Sequence, residues 1–572
     1  MHSTVIRGAT IIDGTGRPGY TGDVALDGDR IAQVGGKAGP ATREIRAEGH
    51  IVTPGWVDAH THYDGQATWD SELAPSSWHG VTTILFGNCG VGFAPVRRRD
   101  HDELIGLMEA VEEIPGIALA EGLKWNWESF PQFLDALDAF PRAIDVAAQI
   151  PHHPLRVYVM GERAIRREAA TAEDIAEMHR LVEEGMRAGA FGFTTSRTNS
   201  HKTLTGEMVP GRYSEVAELM GIGQALGKVG YGAFGMNSDF DIETEELGWM
   251  TRLGQQTGRP VWFLLTDWPT DPARWKRLME GVRAARAQGA MVTAQVCGRP
   301  VGVLLGADTA LNPFSIRPGY QALLKLPVAE RMARLQDPAV RARILSEAPA
   351  EEYLRKLSQF RQHIVRRWNR MFKLGDPPDY EPPESESIAA IAAREGRTPD
   401  EVAYDYLAEN PDHFLFFPVT GYNVDNHDII RTMLTDDATV LGLGDGGAHC
   451  SSIIDAGIPS YMLTHWARDR SRGERLPLEL VVKRQTSETA QFFGFHDRGI
   501  LAPGMKADVN VIDHANMRLH KPEVRYDLPA GGRRLVQRVD GYRATFVSGV
   551  PVFEEGHFTG ALPGKLVRAR GA

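Results

Sequence analysis

Trp56-Val57-Asp58-Ala59-His60-Thr61-His62-Tyr63-Asp64 is the stretch on which the fold turns. Pro54-Gly55 breaks the chain just before it, so an extended strand can start at Trp56 and run into the histidines. Residues i and i+2 of a strand point to one side, which brings the imidazoles of His60 and His62 together as two ligands for one divalent ion. A His-x-His pair alone is weak evidence, because two histidines also share a strand face by chance. The late stretch Leu441-Gly442-Leu443-Gly444-Asp445-Gly446-Gly447 shifts the balance: it too reads as a short apolar strand, and it ends in a carboxylate.

Between these two stretches, short apolar strands alternate with helical segments, the pattern of a parallel sheet wrapped by helices. Strands are expected at 56–61, 82–87, 155–160, 190–196, 230–236, 260–266, 290–296 and 439–444. Eight such units predict an α/β fold of the (β/α)8 barrel type. First and last strands are neighbours in a closed barrel, so His60, His62 and Asp445 should meet at one rim. Strand two ends Phe86-Gly87-Asn88-Cys89-Gly90. Cys89 there is either a thiolate beside the histidines or a small buried cysteine in a tight turn. For Cys297 and Cys450 the buried reading is preferred, with Cys450 and His449 kept as rim candidates.

The barrel exceeds the ~250 residues of a plain one. Most of the excess lies at about 300–435, with Arg- and Glu-rich helical sequence, the Pro-rich Asp376 to Pro383, a helix near Pro399–Glu409, and Phe414 to Val419 as a ninth strand or a pocket floor. Long insertions on barrels commonly cover the substrate face. Both chain ends have another texture, with short strands divided by Gly/Asp turns. Residues 1–55 and 503–572 are therefore expected to build one small β domain together, leaving 56–502 as the barrel.

Of 572 residues, 63 are Lys or Arg and 74 are Asp or Glu, giving a net charge of −11. That balance argues against a nucleic-acid partner, which needs a concentrated basic face. Three widely spaced cysteines cannot form a disulfide framework and fit the cytoplasm. Met1 to Gly8 lacks the basic and apolar regions of an export signal, and no apolar stretch approaches a membrane span.

Ile12-Asp13-Gly14-Thr15-Gly16, the Thr53 to His62 block, Gly80-Val81-Thr82-Thr83, Gly87-Asn88-Cys89-Gly90 and Gly504-Met505-Lys506-Ala507-Asp508-Val509 resemble the amidohydrolase superfamily. Within it they look like the N-acyl-D-amino-acid deacylase (D-aminoacylase) branch, to which His152 to Gly161 is also similar. The resemblance implies a metal-bearing (β/α)8 barrel with a small β-sandwich domain formed by both chain ends. It implies His60, His62 and Cys89 as metal ligands, and Asp445 as the catalytic aspartate that can also bind metal.

Two departures stand out. The branch takes two further ligand histidines from strands five and six, yet Gly232 to Asp239 and Val261 to Asp267 contain none, and strand four carries no lysine to bridge two ions. Either oxygen ligands such as Asn237, Asp239 or Asp267 replace them, or the site holds one ion. One divalent ion, zinc, is favoured over two. The implied reaction is metal-assisted hydrolysis of a non-peptide C–N amide, most simply deacylation of an N-acyl amino acid, with Asp445 moving a proton from water to the leaving nitrogen. The alternatives are a cyclic-amide or other C–N hydrolase on the same scaffold and, from another class, a non-catalytic relic barrel acting in assembly. Arg197, His201, Asn237, Arg299 and His449 are the candidates for holding the small-molecule substrate, with Gln295, His152 and Arg156 behind them; equally, these rim residues hold the loops together. Barrels with large insertions often self-associate, so a homo-oligomer is one of the partners the sequence leaves open.

Overall fold

The computed structural model describes residues 1–570 apart from positions 356, 358 and 443. Eight parallel strands form the barrel: β1 (Trp56–Asp58), β2 (Val81–Phe86), β3 (Asp145–Ala148), β4 (Gly192–Arg197), β5 (Ala233–Ser238), β6 (Val261–Leu265), β7 (Val292–Val296) and β8 (Thr439–Leu441). They pair as one run of β1 to β3 and one of β4 to β8. Both seams are closed. Ile150–Pro151 continues β3 and pairs in parallel with β4, while the Thr61–Gly446 bridge joins the ends of β1 and β8. That last bridge brings the two stretches that framed the sequence reading together. β2 is buried at every residue, as expected of a strand covered on both faces.

One expected strand is wrong. Residues 155–160 belong to the helix His152–Met160, and strand three is the earlier, shorter Asp145–Ala148. The β-branched Val157 and Val159 suggested a strand. Pro154, however, sits in the first helical turn, where its missing N–H costs no hydrogen bond, and packing decides the conformation. Leu155, Val157 and Met160 go into the core from that helix.

Residues from both chain ends share one sheet. Its nine strands include His2–Ile11, Tyr20–Asp27 and Ile51–Pro54 from the first and Val509–Ile512, Tyr542–Val547 and Val550–Glu554 from the second. The junction is antiparallel, with Val511 opposite Val52. Ile6, Val24, Val52, Val509 and Phe546 pack into one apolar cluster behind it. The hairpin Arg518–Leu528 with Gly532–Asp540 is not part of this sheet. It lies on the barrel rim, where Arg534 Nη1 donates to the Ala74 carbonyl at 2.7 Å and Leu535 N to that of Cys450 at 2.6 Å.

The insertion carries its own core. Gly302–Leu305, Leu415–Pro418 and Phe372–Lys373 form an antiparallel sheet, so the Phe414 to Val419 run is a strand outside the barrel. Phe314, Ile344, Tyr404 and Phe417 are among the residues packed there. The helix expected near Pro399 spans Pro399–Glu409, started by Thr398, whose hydroxyl accepts from Glu401 N. No helix among the described residues is long and apolar enough to cross a membrane.

Candidate functional site

His60, His62 and Cys89 converge where β1 and β2 end, with donor atoms within 4.8 Å of one another and all three side chains buried. Cys89 Sγ lies 3.6 Å from His60 Nε2. Asp445 Oδ1 lies 3.6 Å from His60 Nε2 and 3.6 Å from His62 Nε2. Ligands of a tetrahedral ion with bonds of about 2.0–2.3 Å stand roughly 3.3–3.8 Å apart. Asp445 thus stands at ligand-like spacing from both histidines, and Cys89 from His60.

The tautomer of His60 fits too. Its Nδ1 donates to Gln295 Oε1 at 2.7 Å, which leaves the Nε2 lone pair facing Cys89 and Asp445. Gln295 was expected to touch substrate; it supports a histidine instead. Gly442 makes room for it, since a Cβ there would lie 2.3 Å from Gln295 Cδ. Gly444 is needed for the same reason, a Cβ falling 2.0 Å from Asp58 Oδ2. Between the two tight glycines Gly444 and Gly446, Asp445 takes a left-handed φ of 42°, a strained placement typical of functional positions.

Electrostatics sort these groups. Burial pushes the His60 imidazole down to about 4, so it is neutral and ligand-competent. Burial also raises the Cys89 thiol to about 11, against the pull of His62, so the thiolate needs a cation to form at neutral pH. Burial opposes ionisation of Asp445, yet its bond to His62 and the nearby His60 bring the carboxyl down to about 2. For His62, burial favours the neutral ring, but Glu112, Asp445 and Cys89 carry it well above its ordinary value. Nδ1 of His62 and Oε1 of Glu112 face each other at 3.5 Å without a hydrogen bond, both buried. Excess negative charge and unbonded donors of this kind are what a bound cation would satisfy.

The other expected residues divide into two groups. His201 is near the cluster: its Nδ1 bonds Ser196 Oγ at 2.8 Å, and burial, with His449 and His62 nearby, lowers it to about 3. Asn237 sits beside Ser196 in the β4–β5 register. His449 Nε2 approaches Glu112 Oε2 at 3.6 Å, and its N–H bonds the Glu112 carbonyl. The two arginines are not brought to the cluster. Arg197 Nε donates to Glu246 Oε1 at 2.8 Å, and Arg299 Nη2 to Asp455 Oδ1 at 2.9 Å with its guanidinium over the Tyr380 ring. Of the oxygen substitutes for the strand-five and strand-six histidines, Asp239 binds Thr198 Oγ1 at 2.6 Å and Asn199 N at 2.7 Å, and Asp267 faces the backbone of Asn423. Neither carboxylate is among the donors that converge with His60, His62 and Cys89.

Glu112, Asp58 and Asp64 escaped the sequence reading. All three are buried, and burial raises Asp58 and Asp64 to about 7. Asp58 and Asp64 flank the histidines and could have been suspected; Glu112 ends a helix, His101–Glu112, in the segment after β2 and carries no signal.

His152 and Arg156 belong to a buried scaffold. Glu218 accepts from His152 Nε2 at 2.8 Å and from Arg156 Nε at 2.7 Å. Burial would raise the Glu218 carboxyl, but His152 and Arg156 depress it from 4.5 to about 2. A depressed carboxyl contributes stability that is complete above pH 4.5 and disappears as pH falls through 2. Glu218→Gln should therefore remove the part of the pH dependence of urea stability that lies within that window.

The chain belongs to the amidohydrolase family, whose model matches residues 43–553. It is similar to D-aminoacylase of Alcaligenes xylosoxydans xylosoxydans, at 26% identity over 98% of this chain and 97% of that one. Among solved structures, it resembles a D-aminoacylase described for one-metal activation and second-metal attenuation of its binuclear centre, with a TM-score of 0.65, 24% identity, and 99% of this chain and 100% of that one covered. N-acyl-D-glutamate deacylase from Bordetella bronchiseptica, complexed with zinc and a phosphonate inhibitor, superposes at a TM-score of 0.63 with 23% identity over 99% of this chain and 100% of that one.

Proposed function

We propose that this protein is a metal-dependent N-acyl-amino-acid deacylase that hydrolyses a non-peptide C–N amide bond. The observation that carries the reading is the 3.6 Å spacing of Asp445 from His60 and His62, with Cys89 beside them. These four residues would hold one divalent ion, zinc being favoured by a nitrogen, sulfur and carboxylate donor set. One ion agrees with the description of the similar D-aminoacylase as activated by one metal and attenuated by a second. When bound, the ion supplies Lewis acidity to the amide carbonyl and acidifies water.

The protein's own residues do the rest. Asp445, ionised at neutral pH, accepts a proton from the attacking water as the oxygen bonds to the carbonyl carbon. It returns that proton to the amide nitrogen, the C–N bond breaks, and a carboxylic acid and an amine leave. His201, Asn237 and His449 line the rim where the substrate would bind. Arg197 and Arg299, already paired with carboxylates, position loops. Domain limits of 1–55 with 503–572, and 56–502, belong to the same proposal, as does a cytoplasmic setting that keeps the buried thiols of Cys89, Cys297 and Cys450 reduced.

The test is hydrolysis of a panel of N-acyl-D-amino acids, N-acyl-L-amino acids and cyclic amides, before and after chelation and zinc restoration. Metal-dependent release of an amino acid is the expected result. A zinc-loaded protein that opens only cyclic amides, or hydrolyses none of the panel, would overturn the deacylase reading. Gln295→Leu, which removes the acceptor from His60 Nδ1, is expected to weaken zinc affinity by about 10–100-fold in a competition titration. An unchanged affinity would take Gln295 out of the ligand-orienting role.

A further inference from the structure

A second group of converging donors lies outside the barrel site, formed by Glu381, His427 and His465. Glu381 and His427 come from the chain between β7 and β8; His465 is on the π-helical turn Met462–Asp469 that follows β8. We propose that these three residues form a structural zinc-class site that clasps the insertion to the barrel. Nothing in this inference depends on the reaction assigned above.

Geometry supports it first. Glu381 Oε2 is 3.0 Å from His465 Nε2 and 3.9 Å from His427 Nδ1, bracketing the roughly 3.3 Å between two ligands of a tetrahedral zinc at about 2.0 Å each. The 3.0 Å approach is a buried carboxylate–imidazole contact that lacks directed hydrogen-bond geometry at His465 Nε2. An ion between them would give both atoms a partner in place of this undirected contact. His427 Nε2 donates to the Tyr380 carbonyl at 2.9 Å, which fixes the tautomer and leaves Nδ1 with its lone pair. Nδ1 accepts from the Tyr461 hydroxyl at 3.2 Å, a bond that an ion at Nδ1 would replace, and the Tyr461 ring stacks on His465 at a centroid separation of 4.6 Å. π-helical turns of this kind recur at functional sites.

Arg470 is the competing cation and has to be accounted for. Its Nε and Nη2 reach the two oxygens of Glu381 at 3.1 and 2.9 Å, and Nη2 also reaches Asp428 Oδ1 at 2.8 Å. Two carboxylates share this guanidinium, and Arg472 Nη1 donates to the Glu381 carbonyl at 2.8 Å beside them. Each carboxylate oxygen has two lone pairs, so Oε2 can accept from Arg470 and still take a metal. His465, 15% exposed, sits at the edge where solvent can complete the coordination.

The test uses the full-length protein equilibrated with zinc, dialysed, and analysed for metal by elemental analysis. Wild type is expected to carry one more zinc per chain than His465→Ala, and thermal unfolding of a His60→Ala/His62→Ala background is expected to shift upward with added zinc. The same shift should disappear when His465→Ala is added to that background. Equal metal content in wild type and a folded His465→Ala would overturn the proposal. Should a variant fail to fold, cobalt substitution of wild type decides: a second equivalent lacking the thiolate charge-transfer band supports the clasp, and saturation at one equivalent overturns it.

Discussion

Asp445→Asn is expected to lower kcat for amide hydrolysis by about 10²–10⁴-fold, the range for losing a positioned acid–base group. An amide in that position cannot take a proton from water or return one to nitrogen. It still offers an oxygen about where the carboxylate oxygen stands, and His60, His62 and Cys89 remain, so most of the zinc should stay bound. Circular dichroism should be unaltered, since Gly444 and Gly446 preserve the left-handed turn that carries position 445. Steady-state kinetics together with metal content checks this. Full activity in a metal-loaded Asp445→Asn would remove Asp445 from proton transfer.

Asp145→Ala is expected to destabilise the fold by about 3–5 kcal/mol, the usual cost of stranding buried charges. Asp145 starts β3 and is buried, with Oδ2 accepting from Arg498 Nη1 at 2.6 Å and from Lys506 Nζ at 2.8 Å. Its Oδ1 accepts the N–H of Lys565 at 2.9 Å. Burial alone would raise this carboxyl, but Lys506 and Arg498 bring it down to about 2. Without it, two buried cations are left with Asp508 and Asp497. Asp145→Asn keeps an acceptor for Lys565 and should cost less than alanine. Urea unfolding at neutral pH measures both, and a loss below about 1 kcal/mol for Asp145→Ala would contradict the charge argument.

How much could be read beforehand depended on the range of the interaction. His60 and His62 could be picked out from their i, i+2 spacing at a strand end, whereas Cys89 was chosen between two readings by the resemblance of Gly87-Asn88-Cys89-Gly90 to the amidohydrolase pattern. Asp445 was legible only through topology, from the adjacency of first and last strands, and the Thr61–Gly446 bridge is that adjacency. Residues 155–160 misled because β-branched composition is a local signal, while their helix is set by packing of Leu155 and Met160. Arg197 and Arg299 looked like carboxylate binders because a sequence shows a guanidinium but not its partner; Glu246 and Asp455 lie 49 and 156 residues away in the chain. Glu112 was hidden for the same reason. Its meeting with His62 depends on how a long connection folds back over the rim.

The hairpin Arg518–Asp540 holds the Cys450 carbonyl and so braces the loop that carries His449. On the ribosome, every proposed ligand of the barrel ion is translated before this brace exists. The loop that carries His449 therefore gains this support only once the chain is complete through residue 540.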